Sequence, residues 1–149
     1  MRSKELKLIT LFYSLLFISG LSVAQNSFNN NKLSLDGNWE IIFDDNNEGV
    51  EKAWHLDKNY SHHPGIRKIK VPSCWEEFEK DYEGVAFYRK KFDVPESWKG
   101  KILELKFDAS NYMTQVWLNE QVVGFHEGGY TPFSFRIDKL TKTGEENTL

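Results

Sequence analysis

The sequence has one cysteine in 149 residues, so no internal disulfide can form and stability has to come from packing. That thiol, Cys74, has no histidine near it in sequence, and a small buried hydrophobe is expected there rather than a reactive group. A basic block is also missing. Net charge is −3 with a pI near 5.8, and the 19 lysines and arginines are interspersed among 22 acidic residues, which leaves nothing to track a phosphate backbone and argues against a nucleic-acid partner. HExxH and CxxC pairs, a GxSxG elbow, a phosphate loop and a dinucleotide fingerprint are all absent, so neither a metal site nor a cofactor is expected. Of the four histidines, His55, His62, His63 and His126, none carries a ligand spacing, and the adjacent His62 and His63 would point to opposite faces of a strand. No apolar run reaches the roughly 20 residues a membrane-spanning helix needs.

What is present begins with an export signal. A short basic start, MRSKELK, precedes the 16-residue stretch LITLFYSLLFISGLSV, and the small residues Ser22 and Ala24 stand two apart before Gln25. Residues 1–24 read as a signal peptide cut after Ala24, which implies a secreted or periplasmic protein with no membrane attachment after cleavage. Residues 25–32, QNSFNNNK, are polar and read as a flexible leader. One domain, residues 33–149, remains. Five tryptophans, six tyrosines and eleven phenylalanines supply enough large apolar surface for a core.

The hydrophobic pattern of that domain has period two. In LSLDGNWEIIF a turn signal at Asp36-Gly37 precedes Trp39, Ile41 and Phe43 on one face of a half-buried strand. A long polar loop follows, with room for one short helix near the apolar cluster of Val50, Ala53, Trp54 and Leu56. IRKIKVP is a short strand ended by Pro72, and VAFYRKKFDVP reads as one strand with Tyr88, Phe92 and Val94 pointing one way. KILELKFDA places Leu103, Leu105, Phe107 and Ala109 on a single face. MTQVWLNEQVVGF reads as strand, turn at Asn119-Glu120, strand, and Phe133, Phe135 and Ile137 alternate once more. Several short strands with turn signals between them predict an all-β, mostly antiparallel sandwich.

Four motifs then occur in order: LDGNW at 35–39, VPSCW at 71–75, YEGVAFYRKKFDVP at 82–95 and VWLNEQVVGFHEGGYTPFSF at 116–135. Together they resemble the first domain of family 2 glycoside hydrolases, which include β-galactosidases, β-glucuronidases and β-mannosidases. The resemblance implies a jelly-roll, galactose-binding-domain-like sandwich, followed in the family by an immunoglobulin-like domain and a (β/α)8 barrel. It also implies a retaining hydrolysis of terminal β-linked sugars by two glutamates at the ends of barrel strands. A barrel alone takes about 250 residues, so no catalytic residue is expected in this chain. GEENTL at the chain end, where the family pattern continues into another strand, makes a C-terminally truncated sandwich the expectation. Such a piece is expected to be unstable or to aggregate by itself.

The expected role is therefore the non-catalytic sugar-binding domain of a secreted β-glycosidase acting on a β-galactoside or β-glucuronide. Its partners would be a carbohydrate substrate and the downstream domains of its own chain. The alternative is a free-standing secreted carbohydrate-binding sandwich. Two segments are candidate walls of a sugar pocket: the loop EEFEKDYEG at 76–84, with Trp75 and Tyr82 able to stack on a sugar ring, and the turn HEGGY at 126–130. Core or domain-interface packing is the competing role for both aromatics. His126 and Glu127 are residue types that move protons, which makes a small self-contained acid–base enzyme a third reading. Two departures from the family stand out: Glu120 occupies a turn position that glycine usually fills, and Arg136 stands where aspartate is common.

Overall fold

Strand β1 (Gly37–Asp44) is the centre of the first sheet, pairing antiparallel with β2 (Arg67–Val71) on one side and β3 (Val85–Arg89) on the other. The computed structural model describes residues 32–149; the expected signal peptide and residues 25–31 of the expected leader lie outside the described residues. A strand with neighbours on both edges can be buried on both faces, and β1 is: Ile41 and Ile42, which point to opposite sides, are both fully buried. The single apolar face expected of β1 is thus corrected, with Trp39 and Phe43 only partly buried.

The remaining pairs are also antiparallel. They are β4 (Lys91–Asp93) with β9 (Glu146–Thr148), β5 (Glu104–Phe107) with β8 (Phe133–Arg136), and β6 (Met113–Leu118) with β7 (Gln121–Glu127). Among the described residues, only the isolated bridge between Val94 and Thr143 runs parallel. This is the expected antiparallel all-β sandwich, with one short helix, α1 (Asp57–Tyr60), just after the apolar cluster where one was anticipated. VAFYRKKFDVP is not one strand. The chain leaves the first sheet at Arg89 and enters the pair with β9 at Lys91, while the backbone of Lys90 bonds both ways to Leu149 at 2.8 and 2.9 Å.

Two apolar clusters follow from this arrangement. Ile42, Trp54, Tyr60 and Phe87 form the first, which the partly buried Ile66 and Trp117 complete. Leu105, Val116, Leu118 and Ile137 form the second, with Leu35, Phe92, Phe107, Phe135 and others packed against it. Strand β6 divides them, because Val116 and Leu118 face the second cluster while Trp117 between them faces the first. Burying a side chain such as Leu118 contributes about 2 kcal/mol.

The turn after β1 is held by a buried carboxylate: Asp44 accepts backbone hydrogen bonds from Glu48 (2.9 Å) and Gly49 (2.8 Å). Glycine is required at 49, since a Cβ there would lie 2.4 Å from the Phe87 ring. At the β6–β7 turn, Asn119 and Glu120 both adopt left-handed backbone (φ 50° and 68°), the geometry of a two-residue hairpin turn of the primed type. Glu120 therefore keeps the conformation that glycine usually supplies. Its side chain finds a use, accepting the Asp57 N–H at 2.8 Å at the start of α1.

Candidate functional site

The loop at 76–84 is anchored by aromatic packing on the end of β1. The Phe43 ring lies 6.3 Å from Trp75 and 4.8 Å from Tyr82, the two of them 5.7 Å apart, and all three pairs are edge-on. Arg67 sits 5.4 Å from the Phe43 ring centre and bonds Glu79 at 2.7 Å. The Tyr82 hydroxyl donates to the Val85 carbonyl at 2.7 Å. Partial burial pushes the Tyr82 hydroxyl's pKa up, and the nearby Asp45 adds to this. Trp75 and Tyr82 are thus committed to one another and to Phe43, though each keeps part of its surface open to solvent. Cys74, expected to be buried, is exposed. Pro72 ends β2 just before it, and it lies in the outward-facing link to the short 3-10 turn Trp75–Glu77, away from both clusters.

The turn at 126–130 separates the two residues that looked like an acid–base pair. They are successive on β7, so their side chains leave on opposite faces. His126 stacks on Phe133 with ring centres 3.9 Å apart, and its buried Nε2 has no hydrogen-bond partner. Glu127 is exposed opposite Met113. The chain then reverses through Gly128, whose φ of 139° suits only glycine and whose N–H donates to the Tyr112 carbonyl at 2.8 Å. Gly129 lies against the Asn111 side chain, where a Cβ would be 2.4 Å from Oδ1. Tyr130 at the tip is 93% exposed. No hydrogen bond or ring contact among the described residues joins this turn to the loop at 76–84.

Each remaining histidine packs locally. His55 stacks on Trp117 at 5.3 Å and His63 lies 4.4 Å from Trp54, while His62 donates from Nδ1 to the Lys58 carbonyl at 3.1 Å. His62 and His63 follow α1 in the long loop expected there, outside any strand. No group of three or more His, Cys, Asp or Glu side chains gathers around a metal-sized space among the described residues.

One charged cluster was not visible in the sequence. Arg89, with its side chain 11% exposed, bonds Glu40 at 2.9 Å and Asp57 at 2.7 Å and lies 4.1 Å above the Tyr60 ring. Burial raises the Glu40 pKa, but hydrogen bonds from Lys68 and Arg89 outweigh it and hold the carboxyl below its ordinary value. The Ser61 hydroxyl bond, then the Arg89 charge, do the same for Asp57 against a smaller burial effect. The pair register that places Glu40 opposite Arg89 is the signal, and it appears only once β1 and β3 are known to be neighbours.

With this geometry established, residues 33–149 match the sugar-binding domain of glycosyl hydrolases family 2. The chain belongs to that family. The family 2 domain is 35% identical over 115 residues to a β-galactosidase of Thermoanaerobacter pseudethanolicus, covering 77% of this chain and 14% of that protein. It is 29% identical to a β-glucuronidase of Bacteroides fragilis, covering 99% of this chain and 19% of the relative. Among solved structures, Lactobacillus rhamnosus β-glucuronidase superposes with a TM-score of 0.69 at 35% identity, over 78% of this chain and 20% of that one. The chain thus spans a fifth or less of the length of these relatives.

Proposed function

We propose that the chain is the non-catalytic first domain of an exported retaining β-glycosidase that removes a terminal β-linked galactose or glucuronic acid. The observation that carries this reading is the match of residues 33–149 to the sugar-binding domain of the family, in company with relatives named β-galactosidase and β-glucuronidase. Retaining hydrolysis needs one carboxylic acid to protonate the leaving oxygen and a carboxylate about 5 Å away to attack the anomeric carbon. In this reading both belong to the part of a longer polypeptide that follows this domain. The sandwich contributes the walls at 76–84 and 126–130, with Trp75 and Tyr82 offering partly open rings to a sugar.

Tyr112, Met113, Val122 and Phe125, on and beside the β6–β7 hairpin, are each more than half exposed. Such a patch is what a domain leaves bare when the rest of its polypeptide covers it, and it supports packing against further domains of the same chain. The basic start and apolar stretch of residues 1–24 support export.

The test is to express the product of the complete gene and assay it against nitrophenyl β-galactoside, β-glucuronide and β-mannoside, following the anomer released by NMR. Hydrolysis with retention is expected for one of the first two. A stop codon directly after Leu149 together with no hydrolysis by the purified product would sink the enzyme reading and leave a free-standing carbohydrate-binding sandwich.

A further inference from the structure

Strands β2 and β3 both run antiparallel to β1 and lie on its two edges, so they are parallel to each other and need a crossover to join them. That crossover is the segment 72–84. It leaves from the Gly37 end of β1, where Val71 is paired, and arrives at the Asp44 end, where Val85 is paired, so it runs the length of β1 across one face of the sheet. The ring contacts of Phe43 with Trp75 and Tyr82 fix which face, the one that Trp39, Ile41 and Phe43 share. Tyr88, paired with Ile41, lies beneath it too: burial pushes its hydroxyl up to about 12, and Cys74 and Glu76 nearby add to the rise. On this face Ile41 and Ile69 are 0% and 2% exposed. The opposite face carries Ile42 and Phe87 into the first apolar cluster. Two adjacent residues of β1, both fully buried, are thus covered differently, Ile42 by the core and Ile41 by the crossover.

We propose that the crossover is a strap that lifts off this face as a unit while the sheet beneath stays folded, latched by the Arg67–Glu79 pair and the Phe43 ring contacts. Among the described residues, the backbone hydrogen bonds of Cys74 to Tyr82 all stay within the segment, Glu77 bonding Cys74, Phe78 and Glu79 bonding Trp75, and Tyr82 bonding Glu79. The strap therefore keeps its own backbone bonds when it leaves and breaks none of the sheet's. Tyr82 folds back on the strap's own stem, donating to the Val85 carbonyl and crowding Gly84, where a Cβ would lie 2.8 Å from its hydroxyl. Arg67 and Glu79 are 53% and 44% exposed, which makes their ion pair weak and open to screening by salt. The cover of the other face is held more firmly, with the buried Tyr60 hydroxyl donating to the Phe87 carbonyl at 3.2 Å and Arg89 bonding Asp57. A segment held by few apolar contacts and exposed polar ones is where local opening occurs below the free energy of global unfolding. The strap includes the candidate wall at 76–84, and its opening depends on no ligand and on no activity of the longer protein.

The experiment measures iodoacetamide labelling by mass spectrometry in the complete chain carrying Cys74→Ser, with one new thiol introduced as Ile41→Cys under the strap or as Ile42→Cys in the core, at urea concentrations below the unfolding transition. The thiol of Ile41→Cys is expected to react roughly tenfold faster or more, at a rate that hardly changes with urea, while that of Ile42→Cys follows global unfolding with its full urea slope. Adding Glu79→Gln to Ile41→Cys speeds labelling roughly threefold, the loss of an exposed ion pair, and high salt acts in the same direction. Adding Ile137→Val, which weakens the second cluster, speeds Ile42→Cys by roughly twofold to tenfold and leaves Ile41→Cys unchanged, because that cluster stays intact when the strap lifts. Near-ultraviolet circular dichroism checks the fold; Ile69→Cys replaces Ile41→Cys, and Leu118→Cys replaces Ile42→Cys, where it is lost. Equal rates and urea slopes at the two thiols, an Ile41→Cys rate that rises with Ile137→Val as the Ile42→Cys rate does, or no response of Ile41→Cys to Glu79→Gln would each overturn the proposal.

Discussion

The side-chain amide of Asn119 donates to the side-chain carbonyl of Asn147 at 2.8 Å across 28 residues of sequence, tying the β6–β7 turn to β9. Asn147 is fully buried, and every polar position it has is used. Its oxygen also accepts the Lys142 N–H, and its nitrogen donates to the Lys142 and Glu145 carbonyls. Asn119 in turn donates to the Leu140 carbonyl and accepts the Thr148 N–H. Two side chains thereby hold together the β6–β7 turn, the loop between β8 and β9, and β9 itself, which belong to different sheets.

Asn147→Asp removes two donors, leaves two carbonyls bare and places a charge where no cation waits. Each buried unsatisfied group costs about 1–3 kcal/mol, so the variant is expected to lose about 3 kcal/mol or more of stability. Urea denaturation of the purified chain, compared at its midpoint, measures this; an unchanged midpoint would show that the network contributes nothing.

Glu120 sets left-handed backbone against a useful side chain. Glu120→Ala keeps the unfavourable φ of 68° and loses the bond to Asp57, for an expected cost of about 1 kcal/mol. Glu120→Gly loses the same bond but relieves the backbone, which for an L-residue costs about 1–2 kcal/mol, so it is expected to lie near wild type and above the alanine variant. The order of the two melting temperatures decides it.

Acid should destabilise the first sheet. Glu40 and Asp57 have folded-state pKa values below their ordinary 4.5 and 3.8. The stability they contribute is therefore complete above pH 4.5 and is lost as pH falls through the depressed values. Arg89→Gln removes the main shared partner and is expected to flatten the pH dependence of stability below pH 4.5 while lowering stability at neutral pH. Parallel acid slopes in the two proteins would be the contrary result.

Export predicts a processed N-terminus. Intact-mass analysis of protein recovered from outside the cytoplasm is expected to begin at Gln25, with Met1 to Ala24 removed. A start at Met1 in exported material would contradict the cleavage site.

Much of the second cluster could be read directly from the chain. Leu103, Leu105 and Phe107 alternate with charged residues, and the Asn-Glu pair between MTQVWL and QVVGF marks a hairpin even though Glu120 is a poor residue for it, because pattern on both sides fixes where the reversal falls. Alternation failed where a strand is covered on both faces or changes partner. Nothing in GNWEIIFD says that Ile41 and Ile42 are equally buried, and the apolar spacing of Tyr88, Phe92 and Val94 runs on through a point where the backbone enters a different pairing. The candidate walls were visible as segments. Their chemistry was not, because His126 is occupied by Phe133 and Trp75 by Phe43 and Tyr82, contacts between residues 7 to 32 positions apart.

By itself the sequence determined the class of the fold, the family, and the limits on charge, disulfides and metal motifs, because these depend on local period, ordered motifs and composition. Only the tertiary structure decided which charges meet and which stay free. Glu40, Asp57 and Arg89 are joined, Asn119 and Asn147 are locked together, and Lys90 is left with a carbonyl, because the strand register that brings such residues within hydrogen-bond reach depends on the packing of the whole sandwich and is written in no single stretch of it.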